Sequence, residues 1–325
     1  PYLVKDDDDG DTHFLVNPQY TFAAESHPSE VVERYFGSSQ DALTALMRGD
    51  IDIVDYLFPA DAAMLRGSER FTVEPYALPT IHALVPVSDN AWLTSQTFRR
   101  ALVYGINRQV ILASELLGNR NLPGCQVISG PFPPGIRDND PLAYAYDERI
   151  EARSWYPRLA SILVTLARRE LKEIAAKRDE EFNEECKLVL GYPGNEVARV
   201  ACQSIAQYLQ PLGIEIELLE LPQGMSVDPQ GRADILYQQV AMWEPVIDAR
   251  RLLAPGGVTS IGNEYVGMAL RRLDAAKNWR EARERLHELH RIVHEQVSVV
   301  PLWQTVDYLA YSDRLRGVGS APVTL

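Results

Sequence analysis

The chain has 325 residues, 46% of them hydrophobic and 24% charged, with a net charge of −13 at pH 7. This length is enough for a substantial core and predicts two domains. The acidic balance argues against binding nucleic acid over a broad surface, which needs clustered Lys and Arg, and no apolar run reaches the ~18 residues of a membrane-spanning helix.

Residues 2–16 predict a β-hairpin with Asp9-Gly10 as turn residues that tolerate positive φ. The acidic run Asp6–Asp9 is expected to be a solvated turn and not a calcium loop. With Gly10 as the loop glycine, the two end positions of such a loop fall on Lys5 and Val16. Strands are expected at 31–36, 52–57 and 71–76. A helix is expected at 41–49, with Asp41 near its start and Gly49 at its end, and a helical turn at 61–65. Strand, helix, strand, helix, strand is an α/β pattern built on a sheet.

Ile81–Val85 is a further strand candidate. Beyond it, Phe98, Ala101, Leu102 and Gly105 recur at i, i+3, i+4, i+7 and form one apolar helical stripe. Asn107 then interrupts as a favoured N-cap, opening a second helix that closes at Gly118. Residues 124–135 are dense in Pro and Gly and read as a loop. A long polar helix is expected from about Leu159 to Glu184, and its charge-rich part, Lys172–Glu185, is most simply a solvated face.

Lys187–Tyr192, a helix over Val197–Gly213 and Gly213–Leu218 form a βαβ unit, and another strand follows near Ala233–Tyr237. Arg271–His294 reads as helices with Arg and Glu paired at i, i+3 and i+4. Strand residues return at 298–303 and 307–311.

Candidate chemistry is sparse. There is no G-x-S-x-G, no S-x-x-K with partners and no Gly-rich phosphate loop. His287-Glu288-Leu-His290 is one residue short of a zinc-protease motif. His287, His290 and His294 share a helical face that could hold a metal adventitiously, but solvent-facing histidines are expected on a helix this charged. Cys125, Cys186 and Cys202 allow one disulfide at most, and their spacing fits neither a zinc motif nor a CxxC pair. No cofactor is expected. The stretch Met242–Arg251 has the best functional claim, because the apolar strand Ile235–Val240 delivers Trp243, Glu244 and Asp248 to a strand end, where open α/β sheets bind ligands. The competing expectation is that Trp243 belongs to the core while Glu244 and Asp248 cap the next helix.

Arg99-x-Ala-Leu-x-Tyr-x-Ile-Asn-Arg108 resembles the R-x-A-L-x-x-A-I-D-R segment of the family 5 extracellular solute-binding proteins, the peptide-binding components of ABC importers. Asn107 stands where that family usually has Asp, and either residue can cap a helix. Pro1-Tyr2, Asn17-Pro-Gln-Tyr20, Gly49-Asp-Ile-Asp-Ile53, Leu209–Leu218 and Pro301-Leu-Trp303 are similar to further family landmarks in the same order. Residues 136–185 are the main gap.

The resemblance implies a two-lobed type II periplasmic-binding-protein fold with an incomplete first lobe. Residues 1–78 and 300–325 would be the remnant of that lobe and 79–299 the complete second lobe, in a fragment lacking its N-terminal part. It implies a monomer that captures a peptide or other small solute without catalysis and hands it to an ABC permease. It places the protein in the periplasm or outside the cell, with a lipid anchor upstream as one route to the membrane. Trp243, Glu244 and Asp248 would contact the ligand, a carboxylate being what an ammonium needs. A different role on the same fold is the ligand-sensing domain of a cytoplasmic transcriptional regulator.

Overall fold

The computed structural model describes residues 2–6, 11–21, 28–136, 140–222, 224–254, 256–259 and 263–318. Contacts divide the chain into two compact units, 1–51 and 52–325.

In the first unit, β1 (Tyr2–Asp6), β2 (Thr12–Val16) and β3 (Glu30–Glu33) form an antiparallel sheet in that order. β1 and β2 pair from Tyr2↔Val16 to Asp6↔Thr12, the expected hairpin; its turn residues Asp9 and Gly10 lie outside the described residues. Helix α1 (Ser39–Arg48) starts on Ser38, whose side chain accepts from the Asp41 N–H, and stops on Gly49 at φ 81°. Glycine reaches that left-handed conformation without steric cost.

The second unit is built on one mixed sheet. Its strands are β4 (Ile53–Val54), β5 (Phe71–Pro86), β6 (Gln126–Val127), β7 (Cys186–Pro193), β8 (Ile214–Leu221), β9 (Ile235–Ala241) and β10 (Val300–Ser312). The order is β4-β10-β5-β9-β7-β8, with β6 also paired to β10. β7 is parallel to both β8 and β9, whereas β5 is antiparallel to β9 and β10.

The expectation of separate strands at 71–76 and 81–85, and at 298–303 and 307–311, is corrected: each pair is one continuous strand. Proline lacks the N–H that a ladder needs. Pro75, Pro79 and Pro301 escape that penalty because they flank the register shifts between β5 and β10, at Val306/Tyr308 and at Pro301/Trp303.

Helices cover both faces of the sheet. Ile81, Ala83 and Val85 of β5 pack with α8 (Pro245–Leu253), α9 (Glu264–Asp274) and α10 (Trp279–Gln296) through Leu252, Leu270, Leu286, Leu289 and Val293. The alternate side chains point to the opposite face. There His82, 1% exposed, lies between the Tyr237 hydroxyl at 2.6 Å and the Thr305 hydroxyl at 2.7 Å.

The helical turn expected at 61–65 is α2 (Pro59–Leu65), and the Phe98–Gly105 stripe is buried as its spacing predicts, on α4 (Gln96–Gly105), which follows the short helix α3 (Ala91–Thr94). Asn107 caps the next turn, α5 (Arg108–Val110), by accepting from the Val110 N–H at 3.2 Å. The two arginines of this segment are buried. Arg99 donates to the carbonyls of Leu93, Thr94, Gln296 and Val297, and Arg108 to those of Ile128, Arg153 and Pro301.

Helix α6 (Pro157–Arg178) packs against α4 and buries Ala160, Val164, Ala167 and Leu171. It ends six residues before the expected Glu184. Asp179 takes the left-handed conformation at φ 57°, and the chain doubles back so that Glu184 meets Lys172 at 2.5 Å.

The expectation of solvent-facing histidines on α10 is also corrected. His290 is completely buried, and His287 and His294 are half-buried. His287 bonds the Tyr144 carbonyl at 3.0 Å, His294 the Ser129 carbonyl at 2.9 Å, and His290 both Ser129 and the Asp147 N–H. The face that reads as solvated carries Ser129 and the segment 144–147. Among the described residues, no three His, Cys, Asp or Glu side chains are placed to hold a metal.

Candidate functional site

Because β7, β8 and β9 are parallel, their following loops emerge at one edge of the sheet. Crevices outside such carboxyl ends are where open α/β sheets bind ligands. Ala241, the last residue of β9, pairs with Thr80, while β5 and β10 run on past that edge to the pair Phe71↔Ser312. The edge therefore has a floor of strand ends and a wall made by the β5–β10 ribbon.

Behind β7, Asn195 caps α7 (Glu196–Leu209) by accepting from the Ala198 N–H at 2.9 Å. Its amide donates to Gln239 of β9 at 2.7 Å. Behind β9 come the residues singled out in the sequence. Trp243 is 62% exposed, so it is not a core residue. Glu244 caps α8, accepting weakly from the Val246 N–H at 3.4 Å and from the Tyr144 hydroxyl at 2.5 Å. Asp248 accepts from the Glu244 N–H at 3.0 Å and pairs with Arg251 at 3.3 Å.

The structure thus brings Glu244 and Asp248 together as reciprocal caps of one helix start. Acidic groups there satisfy orphan amides and favour the helix dipole. Asp248→Ala is expected to lower stability by about 1 kcal/mol, read as a shift in the urea midpoint. An unchanged midpoint would show that the cap is not contributing.

Sequence reasoning missed the polar groups of the ribbon. Thr80 donates to Asp307 at 2.6 Å, and the partly buried Asp307 carboxyl is raised above the usual carboxylate range by burial, against the pull of that bond. Tyr56 and Tyr76 stack with centroids 5.4 Å apart, and the Tyr76 hydroxyl donates to the Asp55 carbonyl. Burial raises both hydroxyls, and the Asp307 charge adds to the rise at each. Asp307 opens the expected strand 307–311, where an acidic residue reads as a solvent-facing position. Its contact with Thr80 spans 227 residues and leaves no local signal.

Ser129 and His290 stand 3.1 Å apart and look like a nucleophile and its base. The hydrogen bonds say otherwise. The Asp147 N–H donates to His290 Nδ1, so the neutral ring carries its proton on Nε2 and donates it to Ser129. Burial holds the imidazole near a pKa of about 3, and a ring in this tautomer cannot deprotonate the serine.

An open cavity of about 1530 Å³ lies elsewhere, between residues 124–136 and 140–152 and the start of α10, lined in part by Tyr144, Arg149, Trp279, Arg280, Arg283 and His287. Its arginines are interspersed with Glu148, Glu151 and Glu284, a mixed-charge surface. None of Trp243, Glu244 and Asp248 lines it.

The family model for bacterial extracellular solute-binding proteins, family 5 (middle region), matches residues 1–247. No curated protein sequence matches the chain. Among solved structures, the periplasmic binding protein DppA from Helicobacter pylori, in complex with the peptide STSA, is 15% identical at a TM-score of 0.78. The alignment covers 100% of this chain and 60% of that one. The oligopeptide-binding protein AppA from Bacillus subtilis, in complex with a nonapeptide, is 13% identical at 0.77, over 99% and 64%. NikA from Staphylococcus aureus, in complex with Ni(L-His)2, is 14% identical at 0.76, over 99% and 66%. At these identities the likeness shows a shared fold, and the chain spans less than two thirds of each of these proteins.

Proposed function

The chain belongs to family 5 of the bacterial extracellular solute-binding proteins, and from that membership we propose that it captures a peptide-like or other small solute in a cleft between two lobes. In this reading residues 1–78 and 300–325 contribute to one lobe and 79–299 to the other. β5 and β10 carry the chain between them, with the Pro75–Pro79 register shift near the crossing. Capture involves no catalysis. The loaded protein presents its solute to an ABC permease, outside the cytoplasm.

The observation that carries this reading is the polar set at the carboxyl ends of the parallel strands: Asn195, Gln239, Thr80 and Asp307, with Trp243 exposed beside them. Such clefts are mostly apolar surfaces with a few fixed polar groups that orient the ligand. Trp243 supplies an aromatic face. Glu244 has a second carboxylate oxygen beyond its bond to Tyr144, and Asp248 stands behind it. We assign these three to the ligand site.

The test is a thermal-shift screen of the full chain against peptide, nickel–histidine and oligosaccharide pools. A true ligand at 100 times its Kd stabilises by about 2.7 kcal/mol, a shift of several degrees. No stabilisation by any pool would overturn solute capture. Glu244→Gln and Asp248→Asn proteins that keep full affinity would remove those two residues from the site.

A further inference from the structure

The first half of α6 is chemically unlike the rest of this acidic chain. None of the 45 Asp and Glu residues falls between Ala152 and Arg169, a run that holds four arginines. α4, on which α6 packs, has Arg99 and Arg100 as its only charged residues. The turn packed beside α6, Gln210–Leu212, lies in a run from Val200 to Gly213 with no charge at all. On a protein of net charge −13, these three neighbours bring positive charge together without an acid.

The same stretch exposes apolar side chains. α6 buries Ala160, Val164, Ala167 and Leu171. At about 100° per residue, Leu159, Ile162 and Leu166 fall on another side, within about 60° of one another. Ile162 is 63% exposed and Leu166 44%. Trp155 and Tyr156, 45% and 54% exposed, stand at the helix start. Trp155 is fixed there: its indole N–H donates to the Gly105 carbonyl at 3.1 Å and its ring packs edge-to-face with Tyr208. By the same helical count Arg158 and Arg169 lie along one flank of the ridge. Arg169 is bonded to Glu173 at 3.0 Å, and among the described residues Arg158 has no carboxylate partner.

A protein and a lipid bilayer both fit an apolar ridge with arginines beside it, and size decides between them. From Pro157 to Leu166 the ridge is about 15 Å long on a helix about 10 Å across. Such a strip covers far less than the ~800 Å² that each partner buries in a stable protein interface. A bilayer asks for less area and for this composition. Aromatic residues sit at headgroup level, aliphatic ones below them, and arginines lay their apolar stems along the surface while the guanidinium reaches phosphate.

We infer that the first half of α6 docks on the surface of an anionic lipid bilayer, with Trp155, Tyr156, Ile162 and Leu166 turned inward and Arg158 on lipid phosphate. The net negative charge holds the rest of the molecule off such a surface, so the acid-free side sets the orientation. Docking does not depend on solute capture, and a chain that binds no solute would still dock.

The full chain is floated on a density gradient with vesicles of phosphatidylcholine alone, or of equimolar phosphatidylcholine and phosphatidylglycerol, at low and high salt. Binding to the anionic vesicles is expected to be at least fivefold tighter, about the effect of one arginine near the surface, and to weaken in high salt. Ile162→Asp combined with Leu166→Asp should abolish it, and Arg158→Glu should weaken it about fivefold or more. Tyr265→Asp, at an equally exposed position on α9, should leave it unchanged. Brominated lipid should quench tryptophan fluorescence in the unmodified chain and much less in Trp155→Phe.

Failure of the unmodified chain to bind anionic vesicles overturns the inference, whatever the variants do. So does binding that survives the Ile162 and Leu166 changes, or that Tyr265→Asp removes equally, since another surface would then be docking. Self-association lost in Ile162→Asp, without vesicle binding, would assign the ridge to a second copy of the chain and overturn the bilayer.

Discussion

Lowering the pH from 7 to 5 is expected to remove about 4 kcal/mol from the stability of the folded chain, through two imidazoles that must stay neutral. His82 and His290 are both held by burial near a pKa of about 3, against ~6.5 for an unfolded histidine. The folded pKa is the lower one, so the unfolded chain takes up protons first as the pH falls. Stability is complete above about pH 6.5 and is lost progressively toward pH 3, with each ring contributing about 2 kcal/mol by pH 5.

The cause differs between the two. Among the described residues His82 meets the hydroxyls of Tyr237 and Thr305 and the rings of Tyr237 and Trp303, none of them charged, so desolvation acts alone. His290 is further lowered by His287 and His294, while Asp147 pulls the other way. Urea midpoints at pH 7, 6 and 5 would show the loss. His82→Gln, whose amide can donate and accept in the same layer, should remove about half of the slope. A chain equally stable at pH 7 and 5 would mean that neither ring is buried as a neutral base.

His82 also shows where sequence reading stops. It sits inside Ile81–Val85, which reads correctly as a strand, yet nothing local says that its ring faces Tyr237 and Thr305. The periodic elements were legible because periodicity reports burial: the Phe98–Gly105 stripe and the strand from 214 stand where spacing puts them, and the helix expected over 197–213 runs from 196 to 209 before a tighter turn carries the chain to Gly213. Continuity across Pro75, Pro79 and Pro301 was not, since a proline at a register shift looks in sequence like one that ends a strand.

The candidate site divides in the same way. Trp243, Glu244 and Asp248 could be singled out because they follow an apolar strand directly, and Glu244 and Asp248 do meet across one helix start. Asp307, Thr80, Asn195 and Gln239 could not, because each depends on a partner brought by topology from another strand. The histidines of α10 were misjudged for a related reason. A helix rich in Arg and Glu reads as solvated all round, and only the fold reveals the loop lying on one of its faces.

Replacing Arg99 is expected to be among the most damaging single changes in the chain, with Arg99→Met costing about 3–5 kcal/mol. Arg99 is 3% exposed and, among the described residues, has no carboxylate partner. Its fork instead reaches four carbonyls, of Leu93 at 2.7 Å, Thr94 at 2.9 Å, Gln296 at 3.0 Å and Val297 at 2.7 Å. Gln296 ends α10 and Val297 is its left-handed cap residue. These carbonyls are the negative end of the helix dipole, which takes the place of an acid as the counter-charge.

Burial lowers Arg99 only to about 10, so it remains charged at neutral pH. Methionine would fill most of the volume and leave the four carbonyls without this donor, and an unmade bond to a buried polar group costs more than a made bond contributes. Lysine keeps the charge but is a point donor without the planar fork, so Arg99→Lys should lose roughly half as much. The adjacent, exposed Arg100→Ala should stay within about 0.5 kcal/mol. Urea unfolding of the three proteins gives the comparison. If Arg99→Met lies within error of Arg100→Ala, those carbonyls have other donors, and the arginine of this segment does not tie α4 to the end of α10. If the predicted order holds, the first arginine of the segment that carries the family resemblance acts on the scaffold, through the far end of a helix nearly 200 residues away.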